Sequence, residues 1–191
     1  AMTPTWSRTY DGPAIDSLRS VQQTADGGYL VAGHTTSFGQ GSHDGFMMKL
    51  DASGNISWYR AYGDANYNSF HQARQTSDGG YIAVGKTFNG ANTDIMVIKT
   101  SSTGIVNWSK SYDYLGNEEG YSASQTSDGG YIISGKNGSG FLTILKTDAN
   151  GNAGTCNTGT FSPIGFSYSP SSGAISLSTS NSNLVNPIPA Q

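Results

Sequence analysis

The sequence predicts an all-β protein built as an array of repeated antiparallel meanders, and three observations predict it. The segment QTADGGYLVAG, beginning at Gln23, returns as QTSDGGYIAVG from Gln75 and as QTSDGGYIISG from Gln125. A second marker keeps the same step: Trp6, Trp58 and Trp108 are spaced 52 and 50 residues apart, as are Tyr29, Tyr81 and Tyr131. The apolar runs YLVA, YIAV, IMVI and FLTIL are nearly unbroken, the pattern of strands covered on both faces. A period near 50 residues belongs to units that cannot bury their own faces and must stack on neighbours.

The elements follow in order. In the middle unit the strands are SFHQARQT, GYIAVGKT, DIMVIKT and IVNWSKSY. The joint SDGG between the first two supplies an Asp-Gly step suited to positive φ in a tight hairpin, and its second Gly is read as further backbone freedom. The third joint, SSTG here and DASG at Asp51, is again a short polar turn closed by Gly. Each unit is therefore expected to be a four-stranded meander. Residues 1–151 divide into units at about 5–56, 57–106 and 107–151, followed by a tail at 152–191. No segment shows capped helical periodicity.

These residues carry a resemblance. QTxDGGYxxxG, a run ending in Lys (Lys49, Lys99, Lys146), a DxxG-like turn and a Trp strand together resemble the β-propeller-like repeats of large secreted or surface proteins of bacteria. The pattern is also distantly similar to the tryptophan-docking blades of quinoprotein propellers, although Asp51 to Trp58 is one residue shorter than that motif. The resemblance covers Thr5 to about Gly151. It implies a propeller-like repeat array in which Trp58 and Trp108 dock between blades, and it carries no catalytic residues.

The third unit ends at the turn DANG without a Trp strand, while TWSRTY at the other end is a Trp strand without a unit. Residues 5–10 are thus expected to complete the last blade. Three blades are fewer than the usual four to eight. Two chains sharing one six-bladed ring, a further blade built by the tail, and an open array stay as alternatives. The tail is rich in Ser, Thr, Asn and Gly, and its stretches IGFSYS and AISLSTS suit either edge strands or a linker.

Composition agrees with a turn-rich β chain. Gly makes up 26 of 191 residues, about twice the usual ~7 %. Eleven Tyr, seven Phe and three Trp supply bulky apolar surface, which argues against disorder. Net charge is −3 with no basic cluster, so nucleic acid is not an expected partner. No apolar run reaches the ~20 residues of a membrane-spanning helix. The opening AMTPTWS has neither a basic nor an apolar region, and its Ala-Met resembles a cloning remnant. An extracellular or cell-surface location is expected, with a signal peptide absent from the sequence given. The single Cys156 precludes an internal disulfide and reads as an inert or inter-chain thiol.

Reactive residues are sparse. His34, His43 and Asp44 could hold a transition metal, but the aligned loops GKTFNGANTD and GKNGSG do not keep the set. The DxxGN turns at Asp51 and Asp148 admit calcium, yet turn chemistry explains them without an ion. No GxSxG elbow marks a nucleophilic serine. Asp44 with Lys49 and Asp94 with Lys99 stand five residues apart in one strand, so they face oppositely and are expected to pair across to a neighbouring sheet. Glu118 and Glu119 are read as solvated charges. Neither a metal nor a cofactor is implied.

Aromatics are the remaining resource. Tyr62, Asn66, Tyr67, Tyr112, Tyr114 and Asn117 cluster where a Trp strand leads into the next unit, and flat rings beside amides suit sugar binding. The competing role of these rings is to fill the gap between blades. The function expected is a non-catalytic repeat module, a scaffold whose partner is a protein or glycan ligand or a second copy sharing one ring. A carbohydrate-binding module is the alternative, and a metal-dependent hydrolase stands behind both.

Overall fold

The computed structural model of the chain describes residues 6–154, save Asp11 and Leu115. Cys156 and the stretches IGFSYS and AISLSTS lie outside the described residues. Within them the fold is all-β, with eleven antiparallel strands in three sheets. The first sheet is β1 (Asp16–Gln23), β2 (Tyr29–Thr35), β3 (Asp44–Leu50) and β4 (Ile56–Tyr62). The second is β5 (Asn68–Gln75), β6 (Tyr81–Phe88), β7 (Thr93–Thr100) and β8 (Val106–Tyr112). The third has three strands, β9 (Glu119–Gln125), β10 (Tyr131–Lys136) and β11 (Leu142–Thr147). Strands pair in chain order, so each sheet is a meander.

The repeated DGG turn does more than reverse the chain. Gly27 has φ +80°, and Asp26 Oδ1 accepts from Gly28 N (3.1 Å) and Thr24 Oγ1 (2.5 Å). Gly28 itself is not at positive φ. A Cβ there would collide with the Leu50 carbonyl and Lys49 Nζ, so the second glycine is required by close approach and not by backbone freedom. The space it leaves admits the Lys49 ammonium, which donates to Asp26 Oδ2 (2.8 Å) and the Leu50 carbonyl (3.0 Å). Lys99 repeats this with Asp78 and Thr100 O, and Lys146 with Asp128 and Thr147 O. The lysines therefore pair inside their own sheet, with the turn aspartate, and do not reach across to a neighbouring sheet.

These pairs make the turns acid-sensitive. Although partial burial pushes the Asp78 carboxyl up, the Lys99, Thr76 and Gly80 donors outweigh it and hold it at about 2 against an ordinary 3.8. Hydrogen bonds from the matching lysines hold Asp26 and Asp128 well below the usual range as well. A depressed carboxyl contributes stability that is present above the unfolded value and lost as pH falls through the folded one. Denaturant unfolding is therefore expected to show stability dropping steeply between about pH 4 and pH 2. A free energy level across that window would contradict these ion pairs.

The sheets stack face to face. Leu30, Ala32, Met47 and Tyr62 of the first pack on Phe70, Ala73, Tyr81, Ala83, Met96 and Ile98 of the second. Ile82, Val84, Ile95, Val97 and Tyr112 on the second sheet's other face meet Ala123, Tyr131, Ile133 and Leu145 of the third. Trp58 lies against Tyr81 (ring centroids 5.7 Å) and Trp108 against Tyr131 (5.6 Å). The Tyr62 hydroxyl donates to the Gly104 carbonyl and that of Tyr112 to Gly151. Gly104 has φ +76°, and its bare Cα leaves room for the edge of Trp58.

Trp6 and Tyr10 hold the same relation to the first sheet: Trp6 lies 5.6 Å from Tyr29, and the Tyr10 hydroxyl donates to Gly54 O. Residues 6–10, expected to complete the last meander, belong to no strand here. Their aromatic side chains are held by the first sheet, and the third keeps three strands. The outward face of the third sheet is exposed, because no further sheet among the described residues stacks on it. Ile132 and Ile144, in positions where Leu30, Ile82, Met47 and Val97 are fully buried, are 41 % and 74 % exposed, and Leu142 is 95 % exposed. On the opposite face of the stack, Leu18 and Val21 are 51 % and 70 % exposed where Phe70 and Ala73 are buried.

Candidate functional site

The two joints between successive sheets gather most of the polar side chains singled out above. At the first, after β4, Tyr62 is buried as an inter-sheet peg. Burial pushes its phenol above the ordinary value, and it presents no ring face to a ligand. Asn66 turns inward on Asp64, donating from N (2.9 Å) and Nδ2 (3.1 Å). Tyr67 is half-buried against the His43 ring (4.7 Å), with the Lys86 ammonium over its face at 5.4 Å. At the second joint Tyr112 is a buried peg like Tyr62, and Tyr114 packs on the second core cluster. Asn117 is exposed and its Oδ1 accepts from Thr93 N (3.2 Å). Of the six, only Tyr67, Tyr114 and the two asparagines retain accessible surface.

His34 and His43 do approach each other (ring centroids 5.3 Å), and Asp44 is buried. Burial lowers the His34 imidazole and raises the Asp44 carboxyl, which accepts from Gly41 N (3.1 Å). Their ligand atoms do not form a set close enough to share an ion, whereas those of Asp94, Asp113 and Glu118 do. The DxxGN turns are closed by hydrogen bonding: Asp51 accepts from Ser53 N, Asn55 N and Asn55 Nδ2, and Asp148 repeats the arrangement with Asn150 and Asn152.

Two features were missed by sequence reasoning. Glu118 and Glu119 are not solvated charges. Glu118 is fully buried, with its Oε1 accepting from Gly138 N (3.0 Å), and Glu119 pairs with Lys86 at 2.5 Å. The adjacent Glu-Glu pair gave no sign of which oxygens were enclosed, because the enclosing groups come from β6 and the loop after β10. The second feature is a bulge at one position in the first strand of each sheet, which leaves Arg19, His71 and Tyr121 outside the ladders. Bulges re-aim side chains, and here His71 stacks on Tyr121 (5.3 Å, 20°) while its Nδ1 lies 2.9 Å from the Gly120 carbonyl. Aligning QARQ with its counterparts could have located the row, though not its contacts.

A separate cleft of about 400 Å³ opens on the outer face of the first sheet, where Arg8, Tyr10, Asp16, Phe38 and Tyr59 converge. None of the six expected ligand residues lines it. No protein-family model matches the chain, and a search of curated proteins finds no significant match.

Proposed function

We propose that the chain is a non-catalytic, repeat-built module of a secreted or cell-surface bacterial protein, a propeller-like stack acting as a rigid scaffold for assembly. The observation that carries this reading is the exposed apolar surface at each end of the stack, on the third sheet's outward face and along β1. Ile132, Leu142 and Ile144 at one end, and Leu18 and Val21 on β1 at the other, stand at positions that are buried where sheets meet inside the chain, whereas Val31, Phe46, Met48 and Leu50 beside β1 are already buried with Tyr10 packed against them. A second copy of this chain is the occupant that fits, since its β1 offers the exposed Leu18 and Val21 to the exposed apolar face of the third sheet. The contact is heterologous, and it closes if the rotation between copies allows two chains to complete six sheets.

Light scattering on the purified chain is expected to give twice its 20.0 kDa mass. Ile144→Asp and Val21→Asp, on opposite faces, should each return a monomer, because a charge placed in an apolar contact is left unpaired. A wild-type monomer at every concentration, with the face covered instead by residues 155–191, would refute the assembly. A dimer indifferent to both substitutions would do the same.

A second reading, a glycan-binding module, is favoured by the cleft on the first sheet. The aromatic rings of Tyr10, Phe38, Phe46 and Tyr59 beside Arg8 and Asp16 are a combination that stacks on sugar faces and bonds hydroxyls. A glycan array compared with a Tyr59→Ala variant tests it. Signal abolished by the substitution supports the reading, and silence across the array removes it.

A further inference from the structure

The joint between the second and third sheets encloses three carboxylates. Asp94 on β7, Asp113 just after β8 and Glu118 just before β9 each offer one oxygen, and the three oxygens lie within 4.8 Å of one another. Asp94 and Glu118 are buried, and Glu118 Oε2 has no hydrogen-bond partner. Asp94 Oδ1 accepts from Asn89 Nδ2 (2.9 Å). The nearby Lys86 is taken by Glu119. Burial, with the neighbouring acids adding to it, raises the Asp94 carboxyl to about 6 and the Glu118 carboxyl above its ordinary value. Anionic oxygens in such a place are costly unless a positive partner meets them.

The preceding joint shows what the same positions look like when most of that charge is absent. Asp44 stands at the position of Asp94, each paired with the threonine that ends or nearly ends the second strand of its sheet. Gly63 replaces Asp113, following the peg Tyr62 as Asp113 follows Tyr112. Asn68 replaces Glu118, and its Nδ2 donates to Asp64 Oδ1 (2.9 Å). The amide Oδ1 of Asn68 is buried without a partner, as is Glu118 Oε2, so both joints leave an oxygen open at one position. Only the second makes that oxygen a carboxylate and adds a third acid beside it.

We propose that Asp94, Asp113 and Glu118 bind a hard divalent cation of the calcium class, which clamps the third sheet to the second. Calcium takes oxygen ligands at ~2.3–2.6 Å, so oxygens up to about 5 Å apart can share one ion. The set contains no nitrogen or sulfur donor, which disfavours zinc and copper. Three carboxylates exceed the one or two through which magnesium is usually held. The ligands come from both sides of the joint, so the bound ion links two sheets in addition to their apolar packing, the Lys86–Glu119 pair and the hydrogen bonds between them. This assignment does not rest on the assembly reading above.

The test uses the full chain, stripped with EDTA and dialysed, with thermal unfolding and calorimetric titration against calcium chloride. At about one hundred times the dissociation constant the midpoint should rise by roughly 5 °C or more, and by less with magnesium. Glu118→Gln and Asp94→Asn should weaken binding at least about tenfold, as expected for loss of a charged ligand. Without calcium they should melt no lower than wild type, because each relieves buried charge; that separates a lost site from a damaged fold. Asp51→Asn, whose carboxylate serves only its own turn, should respond as wild type. No calcium shift in the wild type, an undiminished shift in Glu118→Gln, or an equal response to magnesium would overturn the calcium assignment.

Discussion

Replacing Phe70 with alanine is expected to lower the unfolding free energy by about 3–5 kcal/mol, a large share of the ~5–15 kcal/mol typical of a domain. Phe70 is fully buried between the first two sheets, with its ring 5.7 Å from Tyr62 and pressed beneath Gly45. Gly45 brings no side chain of its own to refill the space, so the cavity would persist. The internal control is Leu18, which pairs with Gly33 as Phe70 pairs with Gly85 and so holds the same repeat position. Leu18 is half-exposed because no sheet of its own chain covers it, and in the monomeric Ile144→Asp background Leu18→Ala should change stability by less than about 1 kcal/mol. Urea midpoints for the two variants check both values. Equal losses would mean that repeat position, and not stacking, decides the cost.

Asp78→Ala should be the next most damaging change, at about 3 kcal/mol, since it strips the main partner from a buried ammonium. Lys99 Nζ would retain only the Thr100 carbonyl at 2.9 Å, with its side chain 5 % exposed. Lys99→Met should cost clearly less, because the apolar replacement removes the charge along with the need to pair it. The same substitution in the third sheet, Asp128→Ala, should cost clearly less than Asp78→Ala. There Lys146 is 45 % exposed, and water can replace the lost carboxylate. An Asp128→Ala loss as large as that of Asp78→Ala would show that the stacked sheets do not set the environment of these lysines.

The contrast between Lys99 and Lys146 marks what the sequence could and could not convey. The repeat, the hairpin turns and the meander were legible because each depends on residues adjacent in the chain or recurring at one period, while the expected burial of both faces holds for the second sheet and fails for the third, where Ile132, Leu142 and Ile144 are exposed. The recurrence of Trp58 and Trp108 was legible for the same reason, whereas their docking between units was only implied by a resemblance. The six expected ligand residues were only half legible. Their clustering at the joints is a matter of sequence, but Tyr62 and Tyr112 turn their rings into the core, and that depends on the glycine carbonyls of the next sheet. Glu118 and Glu119 misled because a charged pair in a polar loop reads as solvated until the Gly138 amide and Lys86 close over it.

By itself, then, the chain determined that it would form all-β meanders and where each would turn, since local backbone preference at the turns and short apolar runs between them settle those choices. Tertiary structure alone decided which apolar faces stay bare, which lysines lose their water and which carboxylates face one another. Those outcomes depend on distance between segments some 20 to 50 residues apart, and identical repeat positions acquire different chemistry according to whether another sheet lies against them.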